Sequence, residues 1–292
     1  MPEPIRYAAR TRRYYEALGF ETAYRWLATE RTPFATLRLP TGTRGARIAT
    51  VTTASGKHDD GATGPGAPYN GRAKFFAVES VPVAERTRPT TIAHVAYDRD
   101  HTHAADERSW LPLDALVRAR DTGRIGDLAP RLHHLPTRRS QRASAEADAP
   151  LLLERLREDG ADAVVLAANC PVCHQSVTIA ARHLEAAGLP TVVMGCAADI
   201  VAMAGAPRFA FSDFPLGNPA GRPFDTASQD RALENALWLL DHATGPASAR
   251  NPDRWSSDEG WKRDYGRVDH LDAAALARLR RDFDREKARA AG

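Results

Sequence analysis

The sequence has few cysteines, little net charge and no long apolar run, and each of these shortages narrows the class of protein. Three cysteines in 292 residues are too few for a secreted domain cross-linked by several disulfides. The formal charge is only +3, so composition favours neither nucleic acid nor an anionic membrane as a partner. No stretch is long and apolar enough to cross a bilayer. The first residues lack the basic, then apolar, then small-residue regions of a secretory signal, so we expect a cytoplasmic protein.

The sequence does contain the ingredients of a globular core, with 43% hydrophobic and 26% charged residues. Short β-branched runs alternate with helical patterns, which predicts an α/β fold with a parallel sheet, in flavodoxin- or Rossmann-like three-layer units and two similar lobes. Strands are predicted at 47–53, 91–97, 163–168, 190–194 and 208–212. Helices are predicted at 7–31, 112–122, 149–158, 174–187, 228–242 and 270–289, with a further helix starting at 199–204.

Composition and loop signals divide the chain into four segments. We expect an N-terminal helix and arm over 1–44 and a first α/β lobe with long loops over 45–147. A second α/β lobe covers 148–248. A C-terminal extension over 249–292 carries an amphipathic helix, which would dock on the core or on a second copy of the chain, so a homo-oligomer is one expectation.

The best-defined motif is Cys170-Pro-Val-Cys173, directly after the apolar strand at 163–168. A helix beginning here would favour a thiolate on Cys170, because free backbone N–H groups and the helix dipole stabilise negative charge. Pro171 suits the first helical turn. Cys173, three residues on, could close a disulfide with Cys170. His174 could stabilise a thiolate or supply a proton, or it could simply face solvent.

Two other interpretations of the cysteines remain open. Cys170 and Cys173 could be two small buried side chains with no chemistry. Alternatively, Cys170, Cys173 and Cys196, with a histidine, could bind zinc or an iron–sulfur cluster, although zinc sites usually contain a second close pair. For thiol chemistry, the two sulfurs must lie within bonding distance and must not be enclosed in apolar packing.

Candidate substrate-binding residues follow the predicted strands. Ligands of parallel sheets bind at the carboxyl ends of the strands, where polar or sulfur-bearing residues recur. Asp98 and Asp213 could orient a substrate, and their alternative roles are a hydrogen-bonded strand end and an Asx turn. The full set predicted to bind substrate is His58, His94, Tyr97, Asp98, Cys196, Asp213 and Asn218.

Residues 161–229 resemble the B-type selenoprotein subunit of the glycine, sarcosine, betaine and D-proline reductases. The most specific parts of the resemblance are CHQS, after the dithiol, and DFPLGNPAGRPFD. Weaker similarity extends upstream through IATVTTASGKH, IAHVAYD and IGDLAPRLHHL. The chain looks like a cysteine-containing homologue of this subunit.

The resemblance implies an oxidoreductase that cleaves a small amino-acid-like substrate reductively. By position, Cys170 would attack the substrate carbon and expel an amine, and Cys173 would resolve the intermediate. It implies no cofactor beyond the dithiol, which a small thiol or a thioredoxin-like protein would reduce again. The competing hypothesis is a non-catalytic metal-binding or partner subunit that uses Cys170, Cys173 and Cys196.

Overall fold

A computed structural model describes residues 3–21, 24–56, 75–93, 96–98, 100–102, 104–137, 140–269 and 271–289. Its described strands form one seven-stranded sheet in the order β2-β3-β1-β4-β5-β6-β7. All neighbouring strands are parallel except β2, which pairs antiparallel with β3 at one edge. The strands are β1 Arg47–Thr52, β2 Glu79–Pro82, β3 Asp127–His134, β4 Ala163–Ala167, β5 Thr191–Gly195, β6 Arg208–Phe211 and β7 Ala247–Arg250.

Helices cover both faces of the sheet, which confirms the predicted three-layer α/β fold. Alternate residues of β4 point to opposite faces, so Val164 and Leu166 pack against α4 and α5, whereas Ala163 and Val165 pack against α2 and α7. The helices are α1 Tyr7–Ala17, α2 Leu113–Asp121, α3 Gln141–Ala143, α4 Ala149–Glu158, α5 Pro171–Ala186, α6 Ala198–Ala204, α7 Thr226–His242, α8 Trp261–Asp264 and α9 Ala273–Arg289.

The strands of the two expected lobes belong to one continuous sheet. The junction is the parallel pairing of β1 with β4, in which Val51 lies opposite Leu166. Both residues are fully buried, so the two halves of the chain share one core. The expected domain boundaries stay predictions.

The second strand was predicted at the wrong place. In the described part of that segment, the only strand-like contact is a bridge between Ser55 and Thr91. The strand beside β1 is β3, which contains Pro130, and the register between β1 and β3 shifts between Ile48 and Thr50. Proline cannot donate to the ladder and argues against a strand in sequence analysis, which is why β3 was missed.

The N-terminal helix is shorter than predicted. It ends at Ala17, and Gly19 follows with a φ of 75°. That left-handed conformation closes a helix and is strained for residues with a Cβ. Across the described parts of the chain, no helix combines the length and the apolar character needed to cross a membrane.

The direction of the connections changes between β1 and β4. After β1 the chain reaches α2 on one face of the sheet, whereas after β4 it enters α5 on the other face. In α/β sheets the place of such a divergence, at the carboxyl ends of the two strands, is where a ligand-binding crevice forms, and we call it the crevice. Thr53 and Asn169 are the first residues of this crevice beyond the strands, and Cys170 follows at once.

Candidate functional site

The C-P-V-C motif forms the start of α5. Cys170 is the N-cap residue, with an extended backbone (φ −135°, ψ 168°), and Pro171 occupies the first turn. Proline is suited to that turn because its missing N–H has no intrahelical partner there. Cys170 and Cys173 form a disulfide, and their Cα atoms are 4.9 Å apart. The predicted spatial relationship of the two sulfurs is therefore present.

Each sulfur of the pair accepts a hydrogen bond. The backbone N–H of Cys173 donates to Cys170 Sγ at 3.2 Å, and the Thr137 hydroxyl donates to Cys173 Sγ at 3.3 Å. Hydrogen bonds to the charged form of a group favour that form. After reduction of the disulfide, these donors would stabilise a thiolate at either position.

The two sulfurs are more enclosed than reactive thiols usually are. The exposed fraction is 3% for Cys170 and 0% for Cys173, and both residues belong to the apolar cluster between the sheet and α5. Apolar side chains therefore surround both sulfurs, which the thiol hypothesis had required not to happen. The hydrogen bonds from Thr137 and from the Cys173 N–H are their polar contacts. A substrate can reach Cys170 only if this end of the crevice opens.

His174 is not placed to stabilise a thiolate or to face solvent, which corrects both expectations. Its Nδ1 lies 2.7 Å from the Cys170 carbonyl oxygen and must donate to it. Its Nε2 accepts from the backbone N–H groups of Cys196 and Ala197, at 2.8 and 3.1 Å. Complete burial lowers the pKa of His174 to about 4. The neutral ring thus joins the start of α5 to the turn after β5.

This geometry predicts an acid-dependent loss of stability. The unfolded chain binds a proton at His174 below its ordinary pKa of 6.5, whereas the folded chain binds it only near pH 4. The contribution of His174 to the free energy of unfolding is therefore fully present above pH 6.5. It declines by about 3 kcal/mol as the pH falls to 4. We expect the free energy of unfolding, measured by urea denaturation at a series of pH values, to depend less on pH between 4 and 6.5 in His174→Gln, which lacks a titratable ring. The same pH dependence in both proteins would contradict the assignment.

Cys196 is a free, buried cysteine. It is 2% exposed, and burial raises the pKa of its thiol. Its weak sulfur contact is with the Pro215 carbonyl, at 3.8 Å. Within the described residues, no three His, Cys, Asp or Glu side chains are grouped so that they could hold a metal ion. With Cys170 and Cys173 bonded to each other, this arrangement gives the metal hypothesis no support.

Asp98 and Asp213 have partners within the protein. Asp98 contacts His101 Nδ1 at 3.0 Å, and burial raises the pKa of the Asp98 carboxyl. Asp213 accepts from Arg250 and from Lys262, each at 2.5 Å. Both carboxylates therefore support the loops around the carboxyl edge of β6, and the geometry does not require a substrate to satisfy them.

The other predicted substrate-binding residues divide into two groups. Tyr97 packs among Trp110 and other apolar residues, and the Asn218 carboxamide is bonded at both atoms, to the Pro215 carbonyl at 3.1 Å and the Thr102 hydroxyl at 3.3 Å. Their role towards a substrate stays a prediction. His58 and His94 lie outside the described residues.

Two residues beside the disulfide, Thr137 and Asn169, were not identified from the sequence, and neither was His134, at the end of β3. Asn169 is fully buried, yet neither atom of its carboxamide has a hydrogen-bond partner in the described chain. His134 Nδ1 lies 2.8 Å from the Ala54 carbonyl, and burial lowers the pKa of this imidazole. The sequence feature that could have identified Asn169 as a site residue is its position, between a buried strand and the C-P-V-C motif.

Comparison with curated proteins gives relatives of one kind. The D-proline reductase subunit gamma of Acetoanaerobium sticklandii is 27% identical over 166 residues, which cover 56% of this chain and 68% of the relative. The glycine reductase complex component B subunit gamma of Carboxydothermus hydrogenoformans is 27% identical over 145 residues, and that of Symbiobacterium thermophilum is 29% identical over 148 residues. The chain is a homologue of these reductase gamma subunits.

The extent of the similarity differs among the relatives. The chain spans only 33% of each glycine reductase subunit, and each of those alignments covers 50% of this reductase homologue. No family model matches the chain, and no solved structure matches it. The comparisons confirm the resemblance to the reductase family noted from the sequence.

Proposed function

We propose that this reductase homologue catalyses the thiol-dependent reductive cleavage of a C–N or similar bond in a small amino-acid-like substrate. The observation that carries the proposal is the Cys170–Cys173 pair at the first turn of α5, beside the crevice between β1 and β4. A dithiol that closes to a disulfide supplies two electrons, which one reductive cleavage consumes. The relatives are named as subunits of D-proline reductase and of a glycine reductase complex, which supports a reductive reaction on an amino acid.

The proposed reaction has two steps. The Cys170 thiolate attacks the substrate carbon, so that a C–S bond forms, the C–N bond breaks and the amine leaves with a proton. The Cys173 thiolate then attacks Cys170 Sγ, which forms the disulfide and releases the carbon fragment, and that fragment takes up a proton. The substrate carbon is reduced by two electrons and the dithiol is oxidised by two.

Thr137 and the N-cap geometry have separate roles in this scheme. The Cys173 N–H stabilises negative charge on Cys170 Sγ during attack, whereas the Thr137 hydroxyl stabilises it on Cys173 Sγ during resolution. His174 is a positioning residue, because its hydrogen bond to the Cys170 carbonyl holds the N-cap conformation. A small thiol or a thioredoxin-like protein would regenerate the dithiol in the cytoplasm.

Partner proteins are part of the proposal. The relatives carry the names of subunits, one of D-proline reductase and two of a glycine reductase complex. We infer that this chain also works as one subunit of an assembly, with other subunits supplying the rest of the substrate path.

Selective alkylation tests the proposal. Reduced protein is treated with iodoacetamide near pH 6, and the labelled cysteines are counted over time by peptide mass spectrometry. We expect Cys170 to react first, because it is the more exposed of the pair and lies at the helix N-terminus. Cys196 serves as the internal control and should stay unlabelled, since burial raises its pKa. Equal and slow labelling of Cys170 and Cys173, at the rate of ordinary thiols, would contradict the proposal.

A further inference from the structure

The Asn169 side chain is a polar group buried without a partner. Its exposed fraction is 0%, and both Oδ1 and Nδ2 lack hydrogen bonds in the described chain. Leaving a buried donor or acceptor unsatisfied costs about 1–3 kcal/mol. Native proteins satisfy most such groups, and each exception needs an explanation, such as strain, a catalytic role or an ordered water or ion.

A second buried asparagine shows what the fold does with a structural carboxamide. Asn218 is equally enclosed, at 0% exposure, but its Nδ2 donates to the Pro215 carbonyl and its Oδ1 accepts from the Thr102 hydroxyl. Both residues lie at the carboxyl edge of the sheet. Burial alone therefore does not explain why the Asn169 carboxamide has no partner.

Asn169 lies at the part of the fold where α/β sheets bind ligands. It lies at the carboxyl end of β4, where the connections after β1 and β4 diverge to opposite faces. Its backbone N–H donates to the Thr53 hydroxyl, beyond the end of β1, at 3.2 Å. This bond ties the two sides of the crevice together and fixes the backbone of residue 169. The next residue is Cys170, whose sulfur would react.

The geometry points to Asn169 as the residue that binds and orients the substrate for attack by Cys170. The assignment rests on the proposed function and adds to it that the substrate must hydrogen-bond to the Asn169 carboxamide. A carboxamide presents an oxygen acceptor and two N–H donors on one carbon. The complementary ligand carries an N–H or O–H donor and an oxygen acceptor on neighbouring groups, next to the carbon that Cys170 attacks. Purely apolar ligands of the same size would leave Asn169 unpaired.

Protein stability gives the first arm of the test. Asn169→Leu replaces the carboxamide by an apolar group of similar shape, and Asn218→Leu is the matched control. We expect the melting temperature of the reduced Asn169→Leu protein to be unchanged or higher, because no hydrogen bond is lost. Asn218→Leu should melt lower by about 4 °C or more, since two bonds are lost. If both variants are destabilised alike, Asn169 is a bonded structural residue and the inference is wrong.

Two alkylating probes give the second arm. Iodoacetamide carries a carbonyl oxygen and an N–H donor next to its reactive carbon, whereas iodoethane carries neither. The rate constants for alkylation of Cys170 are measured with both probes in reduced wild type and in Asn169→Leu. We expect the iodoacetamide-to-iodoethane ratio to fall about tenfold in the variant, the effect of a net hydrogen-bonding contribution near 1.4 kcal/mol. Should Asn169→Leu fail to fold, Asn169→Ala replaces it in this arm.

The outcomes separate the two proposals. If Cys170 reacts before Cys173 in wild type and the probe ratio does not change in the variant, the assignment of Asn169 fails while the proposed function stands. If Cys170 has no preference over Cys173 in wild type, the proposed function fails first. A fall in the ratio together with unchanged or raised stability supports Asn169 as the substrate-orienting residue.

Discussion

Replacing Cys170 with serine is expected to lower amine release in a single turnover by at least about 1,000-fold, because a neutral hydroxyl replaces the attacking thiolate. The backbone of the N-cap should survive the change, since serine is a favourable N-cap residue and can accept the same Cys173 N–H bond. Loss of activity with an unchanged melting temperature would therefore report on chemistry. The measurement is amine release from reduced protein, with glycine as the first substrate.

Replacing Cys173 should give a different defect from replacing Cys170. Cys173→Ser can still form the C–S bond but lacks the resolving sulfur, so a covalent adduct on Cys170 should accumulate. Intact-protein mass spectrometry would show the mass of the substrate less its amine. Cys196→Ala is the matched control, because it also removes one buried thiol but leaves the dithiol intact. Amine release by Cys170→Ser within tenfold of wild type would exclude Cys170 as the nucleophile.

The largest expected effect on stability comes from Arg208→Met. Arg208 and Glu185 form an ion pair at 2.8 Å, and both side chains are 0% exposed. Arg208 also donates to the Ala35 carbonyl at 2.7 Å, and Glu185 accepts from the Thr191 N–H at 2.6 Å. The pair thus joins the N-terminal arm to α5, β5 and β6. Removing one partner leaves a buried carboxylate uncompensated, which costs about 3–5 kcal/mol.

Urea denaturation at neutral pH measures this loss. The double variant Arg208→Met/Glu185→Leu should recover part of it, because the stranded charge is gone. Arg118→Met is the control for an exposed pair, since Arg118 and Asp230 side chains are 36% and 48% exposed, and such pairs contribute about 1 kcal/mol or less. If Arg208→Met lowers the free energy of unfolding no more than Arg118→Met does, the buried ion pair does not stabilise the packing of the N-terminal arm.

Most central strands were predictable from the sequence, whereas the two edge strands β2 and β7 and the interior strand β3 were not. The segments at 163–168 and 190–194 are continuous apolar runs because β4 and β5 are buried on both faces, as parallel strands are. β7 and β2 are short and partly exposed, and Pro130 interrupts the pattern of β3. Their strand character depends on pairing with distant partners, which local patterns do not contain.

The same distinction applies to the candidate site. The place of Cys170 at the helix start followed from local signals, since Pro171 and the preceding apolar strand are adjacent in sequence. The contact between Thr137 and Cys173 spans 36 positions and exists only in the folded chain. Likewise, His174 follows the motif directly, but only the fold shows that both ring nitrogens are engaged.

The stoichiometry of one turnover tests the central claim most directly. Reduced wild-type protein, freed of small thiols, is mixed with a substrate that supports turnover in the presence of dithiothreitol. Released amine is then compared with the remaining free thiols, and the disulfide is mapped by mass spectrometry. The proposed chemistry predicts one amine released for each Cys170–Cys173 disulfide formed. Amine release that leaves both thiols free would contradict it.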